Sequence, residues 1–209
     1  MAAYSDDEQV EALKRWWDAN GRSVFVGVLI GLVALLGWRG WVNYQENKSA
    51  AASTHYANLQ TAVERNDTKV IKAVAKVLEE SFASTPYAAL AALQLARLYA
   101  EANDLKASEA QLRWAIEHSP QESVEILAKL RLARVLTAEG KLDAALSIVA
   151  EPFPPAYTSL VEEIRGDALA AVGKIKQARQ AYDRALLTAT GDTEYLRLKR
   201  NNLGGTPAS

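Results

Sequence analysis

Cysteine is absent from this 209-residue chain, which removes disulfides, thiol nucleophiles and cysteine-held zinc from consideration. Histidine occurs only twice, at His55 and His118, and neither has a neighbour at metal-ligand spacing. Charge of one sign is not in excess: 24 Lys and Arg stand against 25 Asp and Glu. That balance lacks the basic stripe a nucleic-acid partner requires, so none is expected. No glycine-rich phosphate loop, nucleophile elbow or HExxH motif occurs. The acidic pairs Glu79-Glu80 and Glu162-Glu163 are adjacent, so they point to different helix faces and read as solvated surface. No catalytic residue, metal or cofactor is expected, and the chain reads as a non-enzyme. Six prolines and eleven glycines leave long stretches free to be helical.

The first thing present is an apolar segment, "NGRSVFVGVLIGLVALLGWRGWVNYQ", at residues 20–45. Ser23 to Trp38 carries no charge, and extension to Tyr44 gives a helix long enough to cross a hydrocarbon core of roughly 30 Å. Arg39 near the end can reach the headgroups; at a helix centre it would cost roughly 2.5–3.5 kcal/mol. Eleven strongly apolar side chains between Val24 and Val42 contribute roughly −3 to −7 kcal/mol, so insertion wins. Trp16, Trp17, Trp38, Arg39 and Trp41 are placed to anchor the two interfaces. Gly27 and Gly31 form a GxxxG pair that allows another helix to approach.

A cleaved signal peptide and the core helix of a soluble protein are the alternatives. Against the first, residues 1–22 include Asp6, Asp7, Glu8 and Glu11, unlike a short basic leader. Against the second stand four glycines, Gly27, Gly31, Gly37 and Gly40. Lys14, Arg15 and Arg22 before the span outnumber Arg39 and Lys48 after it, a small bias toward a cytoplasmic N-terminus. Ser5 and Glu8 make a capping box for a short amphipathic helix along the membrane, which Asn20-Gly21 is expected to end.

The remainder repeats itself. "LARLYAEANDLKASEAQLRWAIEHSP" from Leu95, "LARVLTAEGKLDAALSIVAEPFP" from Leu132 and "RGDALAAVGKIKQARQAYDRALL" from Arg165 align on small residues Ala96, Ala133 and Gly166. They align again at turn residues Asn103, Gly140 and Gly173, and at Ser108, Ala145 and Ala178. Pro86 and Pro120 each follow a candidate second helix. Such helix pairs cannot bury their apolar faces alone and stack into a solenoid, the pattern of the tetratricopeptide repeat. A degenerate unit near residues 53–86 is expected before them, with its first helix continuing from the span. "DTEYLRLKRNNL" is expected as a closing helix.

The expected fold is therefore all-α: an N-terminal transmembrane helix followed by a tetratricopeptide-like α-solenoid. Its divisions are a cytoplasmic segment at 1–22, a span at 23–44, repeats at 45–203 and a disordered tail at 204–209. First helices line the concave face of such stacks, which assigns Leu90, Leu93, Arg97, Leu127, Leu130, Arg134 and Asp167 to a protein-binding face. The alternative is that these leucines pack against adjacent helices and the arginines are solvated.

The order of features, with "QVEALKRWWDANG", "GWRGWVNYQ" and "LRLARV", resembles the YfgM family of Gram-negative inner-membrane proteins. The resemblance implies a single-pass protein with a cytoplasmic N-terminus and a periplasmic repeat domain. Its implied partners are the SecYEG translocon, a membrane-anchored periplasmic chaperone of the prolyl-isomerase class, and nascent secretory proteins. It also implies an envelope-stress response regulator at the cytoplasmic end. A scaffold for another envelope assembly complex is the alternative, and nothing in residues 46–209 separates the two.

Overall fold

The computed structural model describes residues 6–203, and every regular element among them is helical. Ser5 of the expected capping box and the tail at 204–209 lie outside the described residues. The chain divides into two compact units, Met1–Lys48 and Ser49–Ser209.

The first unit consists of the N-terminal part of α1 (Asp6–Glu64). Asn20-Gly21 does not end this helix, contrary to the sequence expectation. The Asn20 side-chain amide donates to the Trp16 carbonyl, 3.0 Å away, and so bonds back along the helix instead of turning out of it. Gly21 leaves room for the Trp17 indole, which a Cβ would meet at 3.2 Å. α1 is the one described helix long and apolar enough to cross a membrane, and none of its apolar stretch is buried against the chain. Phe25, Leu36 and Trp38 are each about two-thirds exposed. A soluble protein rarely leaves so large an apolar surface uncovered, whereas lipid covers it without further protein. The core-helix alternative therefore fails.

The second unit is a stack of helix hairpins. The C-terminal part of α1 pairs with α2 (Thr68–Phe82), α3 (Pro86–Glu101) with α4 (Leu105–His118), and α5 (Glu122–Ala138) with α6 (Leu142–Ile148). α7 (Thr158–Ala171) pairs with α8 (Ile175–Thr188), and α9 (Glu194–Asn201) packs on the last pair. Each hairpin turns at a left-handed residue: Asn66, Asn103, Gly140 and Gly173, with φ of 53°, 58°, 76° and 80°. At all four, that residue's N–H and the next one's reach back to the helix they leave; Lys141 N–H, for example, donates to Leu136 C=O at 2.8 Å. This pair of hydrogen bonds satisfies carbonyls that a helix end otherwise leaves open. In the first two hairpins the next residue then caps the second helix, Asp67 accepting from Val70 N–H and Asp104 from Ala107 N–H. Asn66 thus marks the degenerate first hairpin.

Small side chains sit where the paired helices cross. Ala96, Ala133, Ala145 and Ala178 are buried, and the Ser108 hydroxyl donates to the Ala96 carbonyl at 2.8 Å. The core runs along the stack as a chain of clusters. Leu59, Ile71 and Leu95 join the first two hairpins; Leu112, Leu132 and Leu136 the next; Leu130 and Ile164 the third to the fourth. Pro152, Pro154 and Pro155 follow α6 and keep it to two turns.

Candidate binding groove

Along the first helices, position by position, the expected face is only partly open. Leu93 and Leu130 are 3% and 1% exposed, respectively, so both belong to the core and neither can meet a partner. Leu90 and Leu127 are half-buried against the cluster formed by α3 to α6. The packing alternative therefore holds for Leu93 and Leu130. The cause is geometric: α3 and α5 are each flanked by their own partner and by both neighbouring hairpins, which leaves only a narrow strip open.

That strip is polar. Between α3, α4 and α5 lies a groove of about 390 Å³. Its floor is apolar and small, with Ala96, Ala100, Leu112 and Val135, and its rim carries Arg97, Arg131 and Arg134. Arg97 pairs with Glu101 at 2.7 Å on its own helix, both side chains more than half exposed. Arg134 meets Glu163 of α7 at a looser 3.5 Å. Arg131 is half-buried and has no ion-pair partner among the described residues. Burial first, then the charges of Arg97 and Arg134, pull its pKa down, though a guanidinium stays charged at any ordinary pH.

Asp167, assigned to the same face, is already occupied. Its carboxylate accepts from the Tyr182 hydroxyl at 2.7 Å and from Lys199 Nζ at 2.8 Å. Lys199 also donates to Glu163 at 2.7 Å, so α9 is fastened to α7 through two acids. Burial opposes the Lys199 charge, and the two acids outweigh it and raise its pKa. Asp167 is thus a fastening for the closing helix. Lys199 was not foreseen, and neither was Arg131, although Arg131 lies 34 residues after Arg97 and is the second residue of "LRLARV".

His118 stacks on Trp114, ring centroids 4.3 Å apart, with Nδ1 3.0 Å from the Trp114 carbonyl at the end of α4. In the first unit, Trp16, Trp17, Trp38, Arg39 and Trp41 are all exposed, and a Cβ at Gly27 or Gly31 would meet nothing within 4 Å.

The family model described as a tetratricopeptide repeat-like domain matches residues 14–205, taking in the apolar segment together with the repeats. A protein of Escherichia coli named ancillary SecYEG translocon subunit is 33% identical over 201 residues, covering 95% of this chain and 97% of that protein. The chain belongs to the YfgM family. Proteins of the same name from Haemophilus influenzae and Neisseria gonorrhoeae are 29% and 28% identical, and each is matched over its full length. Three guanidiniums line the groove, whereas the Ser108 hydroxyl is buried and committed to a backbone carbonyl.

Proposed function

We propose that the protein is an ancillary subunit of the SecYEG translocon, acting by binding and not by catalysis. It lies in the inner membrane with residues 23–44 as a single span, its N-terminal segment in the cytoplasm and its repeats in the periplasm. The observation that carries this reading is the full-length match to relatives bearing that name, which extends through both the uncovered apolar helix and the hairpin stack. The open strip along the first helices takes extended stretches of secretory chains emerging from the translocon. From there they pass to a membrane-anchored chaperone of the prolyl-isomerase class, held by the same solenoid. The short cytoplasmic end is the part available to an envelope-stress response regulator. Gly27 and Gly31 give a neighbouring transmembrane helix a surface it can approach closely.

Purification of the full-length protein from membranes in mild detergent tests this reading. SecYEG and a periplasmic chaperone are expected to co-purify. Recovery of a different envelope complex, with no SecYEG, overturns it.

A further inference from the structure

We infer that the groove between α3 and α5 selects acidic segments, with Arg131 receiving the carboxylate of an Asp or Glu side chain from an extended partner chain. The inference rests on the binding role proposed above and names the chemistry that role prefers.

Three observations carry it. First, Arg131 is half-buried beside two like charges and has no carboxylate of its own among the described residues. A guanidinium so placed is unfavourable for this chain alone, and an incoming carboxylate relieves both the repulsion and the desolvation. The planar fork of an arginine also suits a carboxylate held by two parallel bonds. Second, the flanking arginines can share the load at little cost. The Arg97–Glu101 pair is exposed and the Arg134–Glu163 pair is loose. A pair as exposed as Arg97–Glu101 is weak and exchanges readily for an outside partner. Third, the floor beneath the guanidiniums, with Ala96, Leu112 and Val135, is apolar and shallow. It suits a small apolar side chain next to the acidic one.

The same strip argues against a long polyanion. Beyond Arg134 it continues into Glu163 and Asp167 on α7. A nucleic acid needs a continuous row of phosphate contacts, and here the row changes sign after three residues. The site is the length of a short peptide.

The test uses the full-length protein in detergent micelles and two fluorescein-labelled short peptides. One is rich in Asp, Glu and Ala; the other replaces each acid by Asn or Gln. Fluorescence anisotropy is expected to show binding of the acidic peptide and at least a tenfold weaker response to the amide peptide. Arg131→Gln is expected to weaken the acidic peptide at least tenfold, and Arg197→Gln, at an exposed position on α9, to leave it unchanged. Thermal unfolding of Arg131→Gln supplies a readout that a structural role would move the other way. Its Tm is expected to equal or exceed that of the unaltered protein, because a repulsion is removed. Equal binding of the two peptides, unchanged binding by Arg131→Gln, or a clear fall in its Tm would each overturn the inference. Loss of SecYEG from purifications of the unaltered protein would instead sink the translocon reading and leave the groove's preference standing.

Discussion

The Tyr182 ring lies directly over the backbone of Gly166: a Cβ at residue 166 would stand 2.7 Å from Tyr182 Cε1. α7 and α8 cross at this point, and the Tyr182 hydroxyl is held by Asp167, so the ring cannot swing aside freely. Gly166→Ala is therefore expected to destabilise the protein by about 1–2 kcal/mol, although alanine is the better helix former by about 1 kcal/mol. In a Tyr182→Ala background the same change becomes neutral or stabilising, because the obstruction is gone. A double-mutant cycle by urea unfolding measures the coupling. Additive effects would count against the crossing geometry.

The hairpin turns make a second prediction. Gly140 and Gly173 sit at φ of 76° and 80°, where a Cβ crowds the following carbonyl. Alanine at either is expected to cost about 1–2 kcal/mol. Asn103, at φ 58°, already tolerates that region, so Asn103→Gly should change the unfolding midpoint little.

Acid should loosen the contact between the second and third hairpins. Hydrogen bonds from Lys141 and Arg113 hold the Glu109 carboxyl down to about 2 from an ordinary value of 4.5. A carboxyl whose pKa is depressed on folding stabilises the fold above its unfolded value and loses that contribution as pH falls toward its folded value. Stability should therefore drop between about pH 4.5 and pH 2, and Glu109→Gln should flatten that part of the curve. Urea midpoints measured across this window decide the matter; an unchanged slope in the variant would contradict it.

The period, the turns and the crossing residues could be read from the sequence because each follows from local geometry. A residue forced to positive φ is Gly or Asn wherever it occurs, and a close crossing needs Ala, Ser or Gly. Asn66 was missed as a fourth turn because the first hairpin lacks the small residue at its crossing, where Leu59 stands instead. The open face was harder to read. Arg97 and Arg134 occupy the same position relative to their turns, six residues before Asn103 and Gly140. Arg131 lies a turn earlier on α5 and reaches the Arg97 groove only through the rotation between successive hairpins. That rotation is set by packing between repeats and leaves no mark on the spacing within one. Leu93 and Leu130 stand one helical turn from those arginines, and the flanking helices close over them.

Whether one span near residues 23–44 holds a periplasmic hairpin stack in the inner membrane is decided by protease added to intact spheroplasts. Residues from about Ser49 onward should be digested without lysis, while a fragment holding the N-terminus and the span stays in the membrane and resists alkaline carbonate. A C-terminal domain that survives until the spheroplasts are opened, or a full-length chain that carbonate strips from the membrane, would contradict it.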